Sequence, residues 1–219
     1  MESGRAASTE AGGGETFTST SRRAQIVAAA IDTIAEVGYA QASLGRIAER
    51  IGVSKGVISY HFAGKDELVR EVIADVAAKG AAFIRGRAMS ETTASGRLRA
   101  WIESNLEFIG AHRTEMMAFV EIAWGSRGDQ AVSPAVGAVL TGGVAAVQEL
   151  LASGQAGGEF REDFDPQVMA MAIRGAVDAV PPRLARDPRL DAGHYGRELA
   201  DLFDAATRRT APRPRGRSR

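Results

Sequence analysis

SLGRIAERIGVSKGVISYHFAGKDEL, running from Ser43 to Leu68, is the stretch whose reading decides the fold. Leu44, Ile47, Ala48 and Ile51 recur at i, i+3, i+4 and i+7, the apolar stripe of a short helix that Ser43 is placed to cap. Gly52 stops that helix. After Val53, Ser54 opens a second one whose Val57, Ile58 and Phe62 face inward, leaving Lys55, Ser59, Tyr60 and His61 outside. Two short helices joined through a Gly-containing turn have the helix-turn-helix geometry, and the second of them fits the roughly 12 Å major groove of duplex DNA.

Flanking segments extend the pattern. Upstream, Ile26, Ala30, Ile34 and Val37 predict an amphipathic helix from about Ser21 to Val37, closed by Gly38 with Tyr39 after it. Downstream, Phe62-Ala63-Gly64-Lys65-Asp66-Glu67-Leu68 leads into a longer fourth helix with Leu68, Val72, Ile73 and Val76 on its apolar side. A first helix ending in Gly and an aromatic, a Ser opening the second, Ile47-Ala48 through Gly52-Val53-Ser54 across the turn, Tyr60 and Phe62 closing the third, and Lys65 and Leu68 opening the fourth together resemble the DNA-binding domain of TetR-family transcriptional regulators. At motif level the resemblance covers residues 22 to 77.

That resemblance turns the polar face into a candidate DNA surface. Ser54, Lys55 and Gly56 lie at the end of the recognition helix that points into the groove, and Gly56 leaves room there. Ser59 shares the outward face. Tyr60 and His61 are placed to hydrogen-bond phosphates, Lys65 to add charge at the start of helix four, and Ser43 to offer its hydroxyl to phosphate or to act as a purely structural cap. Arg46 on helix two, with Arg22 and Arg23 on the first, are further candidates for backbone contact.

The rest of the chain reads as helical throughout, giving an all-α class with a domain boundary near residue 78. Residues 1–20 read as a disordered arm, 21–77 as the helix-turn-helix domain, 78–208 as a helical effector-binding and dimerisation domain, and 209–219 as a basic disordered tail. Asp165 before Pro166 is an N-cap with proline in the first helical turn, opening a penultimate helix. A loop holding Pro181, Pro182 and Pro188 then precedes the final helix, whose Tyr195, Leu199, Leu202, Phe203 and Ala206 share a face. The two terminal helices are expected to pair with their symmetry mates in a homodimer.

Trp101, Asn105, Phe108, Met117, Glu121, Trp124, Met169 and Ile173 are the candidate effector-pocket residues. They come from a wider group of Met, aromatic and polar positions that includes Phe83, Met116, Phe119, Arg174 and Asp178. Taken singly, each of the apolar ones reads first as core filling; as a group they suit an adaptable apolar site.

Composition narrows the remaining classes. Twenty-seven Lys and Arg balance 27 Asp and Glu, so any affinity for a polyanion must come from local distribution rather than global charge. The absence of cysteine removes thiol nucleophiles, thiolate metal sites and disulfides, and suits a cytoplasmic location. His61, His112 and His194 lack metal-site spacing, and no nucleophile elbow, phosphate loop or dinucleotide fingerprint occurs, so no catalytic residue, metal or cofactor is expected. No uninterrupted apolar run reaches the roughly 18 residues that span a bilayer. The resemblance implies a regulator, most simply a repressor, that binds a palindromic operator as a dimer and is released by a small-molecule effector. The alternative is a ligand-binding or protein-interaction helical module without operator binding.

Overall fold

Ile26, Ala30 and Ile34, spaced at i, i+4 and i+8, are completely buried and fix the orientation of the first helix, α1 (Ala11–Val37). The computed structural model describes residues 11–187 and 189–209. α1 begins ten residues before the expected start, so residues 11–20 are helical rather than part of an arm. Adding turns to an existing helix avoids the nucleation cost, and no proline interrupts the segment. The remainder of the arm, 1–10, and the tail from 210 onward lie outside the described residues.

Gly38 ends α1 at φ 81°, and Gly52 makes the turn between α2 (Leu44–Arg50) and α3 (Lys55–His61) at φ 67°. Both angles lie where a Cβ is strained, which is why glycine is the terminator at each. Ser43 caps α2 by accepting the Arg46 N–H at 3.3 Å. Arg50 fastens α2 to α1 by donating to Thr33 Oγ1 at 3.0 Å and pairing with Glu36. Ile47, Ile58, Phe62 and Leu68 complete the core against α1, each fully buried apolar side chain contributing roughly 1.5–3 kcal/mol.

The fourth helix, α4 (Lys65–Ala88), runs unbroken through position 78 and is about 36 Å long at 1.5 Å per residue. Its first half, from Leu68 to Val76, belongs to the N-terminal core. That core does not stop at residue 78: Ala118, Phe119 and Ile122 of α6 (Arg113–Gly125), with Val132 and Val136 at the entry to α7 (Ser133–Ala156), pack into it. A second core gathers Leu98, Ile102 and Leu106 of α5 (Ala94–Ala111), Val147 and Leu151 of α7, Phe160, and Ile173 and Val177 of α8 (Pro166–Asp178).

Asp165 caps α8 as its position before Pro166 predicts, accepting the N–H groups of Gln167 and Val168 at 2.7 and 3.4 Å. The expected loop at Pro181 and Pro182 is instead a short helix, α9 (Val180–Arg186). Its prolines sit in the first turn, where N–H groups lack intrahelical acceptors, so the helix loses nothing by them. α10 (Ala192–Thr207) closes the chain and packs along α5. Only one residue of α7, Glu149, is charged, and by length and composition α7 is the one helix among the described residues apolar enough to cross a membrane. Here it lies in the bundle, with Val136 in one core and Val147 and Leu151 in the other.

Candidate nucleic-acid interface and ligand cavity

The outer face of α3 holds side chains that the fold does not use. Ser54, Lys55, Gly56 and Ser59 are exposed, and Tyr60 is 83% exposed. Ser54 stands at the N-cap without making a side-chain capping bond, and Lys55 forms no ion pair among the described residues. Arg46, on the neighbouring α2, is likewise exposed and without an ion pair there. Ile58 and Phe62 anchor the opposite face in the core.

Nearby cations are spent inside the protein. The Arg23 guanidinium lies 4.2 Å from the Phe62 ring centroid, donates to the His61 carbonyl and reaches Glu71 at 3.3 Å. It therefore clamps the end of α3 to α1 and α4. Lys65 Nζ donates to the Tyr39 carbonyl at 2.5 Å and sits 4.4 Å from the Tyr39 ring centroid. Burial lowers the Lys65 pKa below its ordinary value. Tyr39 in turn donates to Asp129 Oδ2 at 3.1 Å; burial first, and then that hydrogen bond, push its phenol up to about 12. Arg70 adds a second tie to the same α6–α7 loop, donating to the Ala131 carbonyl at 3.0 Å.

A cavity of about 470 Å³ lies between α4, α5, α6, α7 and α8. One wall is the second half of α4, where Val76, Ala77, Gly80, Ala81, Ile84, Arg85 and Ala88 form a continuous stripe. Trp101, Asn105 and Phe108 come from α5, and Met116 and Phe119 from α6. Small residues of α7, including Ala138, Gly142 and Ala146, form the facing side, and Arg174, Val177 and Asp178 of α8 close it. Asn105 is buried and donates its amide to the Trp101 carbonyl at 2.7 Å.

Residues 26–72 match the profile of bacterial regulatory proteins of the tetR family. Over those residues the chain is similar to TetR-family regulators. It is 37% identical over 103 residues to the HTH-type transcriptional regulator BetI 1 of Chromohalobacter salexigens, an alignment covering 45% of this chain and 50% of that one. It is 33% identical over 107 residues to BetI of Cronobacter sakazakii, covering 48% and 52%. The chain thus spans about half the length of the curated relatives it matches.

The likeness in fold is broader. The fatty acid degradation regulator FadR of Bacillus halodurans superposes with a TM-score of 0.75 at 23% identity, over 83% of this chain and 94% of that one. A transcriptional regulator of Saccharomonospora viridis solved with choline gives 0.77 at 20%, over 87% and 100%. FadR of Bacillus subtilis in complex with stearoyl-CoA gives 0.71 at 22%, over 82% and 96%.

The positions that the sequence offers for DNA divide in two. Ser54, Lys55, Gly56, Ser59 and Tyr60 gather on one exposed surface with Arg46 nearby, and His61 is half-buried with its ring edge-on to Tyr60 at 5.1 Å. Lys65 is turned inward to Tyr39, Arg23 to Phe62, and the Ser43 hydroxyl to its own helix, because each has a closer partner in the folded chain. Of the pocket candidates, Trp101, Asn105 and Phe108 line the cavity. Met117 and Trp124 do not: they lie on the outer face of α6, Trp124 with Arg127 stacked over it at 4.3 Å. Glu121 is exposed on the same face beside Gly38, and Ile173 and Met169 pack in the second core. The Ala and Gly positions of α4 and α7 were missed, since small residues carry almost no periodic signal of burial.

Proposed function

We propose that this chain is a cytoplasmic TetR-family transcriptional regulator, acting as a repressor, that binds a two-fold symmetric operator as a homodimer and leaves it when a small molecule occupies the α4–α8 cavity. The observation that carries this reading is the unspent polar face of α3, with Lys55, Ser54 and Tyr60 presented outward while Arg23 and Lys65 beside them are used internally. An exposed Lys and hydroxyls on a short helix suit phosphate and base-edge contact in a major groove.

Dimerisation is supported by α8 and α10. Val168 and Met171 on α8 and Leu202 on α10 are each about 60% exposed or more, large apolar side chains on helices whose other faces are already buried in the bundle. A two-fold partner that covered them would present two copies of α3, which must match half-sites roughly 34–36 Å apart.

α4 supplies the coupling. Leu68 to Val76 are packed into the DNA-binding core, while Ala77 to Ala88 form a cavity wall, so a ligand that displaces the wall tilts the core. The α6–α7 loop, tied by Tyr39–Asp129 and Arg70–Ala131, is a second route. To turn an almost fully competent population into an almost fully incompetent one, the ligand must favour the second state by about 5.5 kcal/mol.

Selection of bound fragments from random duplex DNA tests this reading. A two-fold symmetric consensus bound by two protomers is the expected result. Retention of small molecules with no salt-dependent affinity for any duplex would overturn it in favour of a helical binding module.

A further inference from the structure

We infer that the cavity is built for an elongated apolar carboxylate, with the head group held by Arg85 and the chain lying along α4 toward Phe119. The inference rests on the regulator reading only in taking the cavity as the effector site. Its own basis is the distribution of charge.

Two cations and one carboxylate line the cavity. Arg174 and Asp178 cancel each other: Nε donates to Oδ2 at 2.9 Å and Nη2 lies 2.8 Å from Oδ1, a two-point pair one helical turn apart. Arg174 is further pinned against α7, where a Cβ on Gly143 would come within 2.6 Å of Nη1. Arg85 has no such partner. Its side chain makes no ion pair or hydrogen bond among the described residues, whereas Arg87, two positions on, is engaged by Glu107 and the Phe83 ring. The cavity therefore carries one uncompensated positive charge, and it stands near one end.

The remainder is apolar apart from Asn105, whose amide donates to the Trp101 carbonyl at 2.7 Å. From Arg85 back to Val76 the α4 wall runs about 14 Å at 1.5 Å per residue, with only Ile84, Ala81, Gly80 and Ala77 between. Gly80 lies directly on the Phe108 ring, where a Cβ would stand 3.3 Å from Cε1, so the wall is flat. The mouth lies between Ala81 and Arg85 of α4 and Ala138, Gly142 and Ala146 of α7, all exposed while lining the cavity. A slot with a greasy interior and a guanidinium at its entrance matches an anionic head on an apolar chain. It opposes a quaternary ammonium, since no carboxylate in the wall is free to meet one and Arg85 has the same sign.

The test is calorimetric titration of the full-length protein with decanoate, 1-decanol and decyltrimethylammonium, each below its micellar concentration. Decanoate is expected to bind about tenfold more tightly than decanol, the ratio one hydrogen bond to a charged group supplies, with the advantage shrinking as salt is added. Arg85→Gln should erase that ratio while decanol affinity stays as it was. Equal affinity for decanoate and decanol, tightest binding of the ammonium, or no binding of decanoate overturns the inference. Affinity of the same protein for selected duplex DNA is measured alongside. DNA binding without a carboxylate preference sinks this inference alone, and a carboxylate preference without DNA binding sinks the regulator reading alone.

Discussion

Replacing Lys55 with Ala separates a DNA-facing role from a structural one. The Lys55 side chain is exposed, lies at the first position of α3 and has no ion pair among the described residues, so the folded state should lose no more than about 0.5 kcal/mol. Each phosphate neutralised by a cation contributes about −0.9 to the slope of log affinity against log salt. Removing one per protomer should therefore flatten a dimer's slope by roughly 1.8. Arg23→Ala is the contrasting substitution. It removes the stack on Phe62 and the bond to the His61 carbonyl, and, discounting the partly exposed Glu67 and Glu71 pairs, should cost about 1–2 kcal/mol of stability. Fluorescence anisotropy with a selected duplex across a salt series, beside chemical denaturation of both variants, reads the two quantities. An unchanged salt slope in Lys55→Ala, or a stability loss above about 1 kcal/mol there, would refute the assignment of this face.

Three further outcomes are expected. Gly56→Ala adds a Cβ that meets only Ser54 Oγ, at 3.6 Å, so the melting temperature should hold or rise while operator affinity falls, as measured by denaturation and anisotropy together. Met171→Glu places a charge on the exposed apolar face of α8 and should shift the protein from dimer to monomer in analytical ultracentrifugation without unfolding it. Tyr39 has a folded-state pKa of about 12 against an ordinary 10.0, raised chiefly by burial, so its contribution is complete below pH 10 and is lost as pH rises toward 12. Tyr39→Phe should remove that alkaline loss from the stability profile, and an identical profile would count against the Tyr39–Asp129 contact.

The helix-turn-helix was legible because its signals are local. Ser43 and Ser54 stand immediately before the first residues of α2 and α3, and Gly52 makes the turn two residues after α2 ends. Asp165-Pro166 worked for the same reason. What failed depended on contacts distant in sequence. Met117 and Trp124 look like pocket residues by type, yet α6 turns them outward because Ala118, Phe119 and Ile122 occupy its inner face. Lys65 looks like a phosphate ligand until Tyr39, 26 residues earlier, is found beside it. The cavity's small-residue wall on α4 and α7 was nearly invisible, since an empty space is defined by what Gly and Ala do not fill.

The most direct measurement places a photo-crosslinking p-benzoylphenylalanine at position 60, the most exposed aromatic site on α3, and irradiates the protein on its selected duplex. A crosslink in each half-site, with none from the same group at position 117 on the outer face of α6, is the result this account predicts. Crosslinking from position 117 but not from position 60 would contradict it.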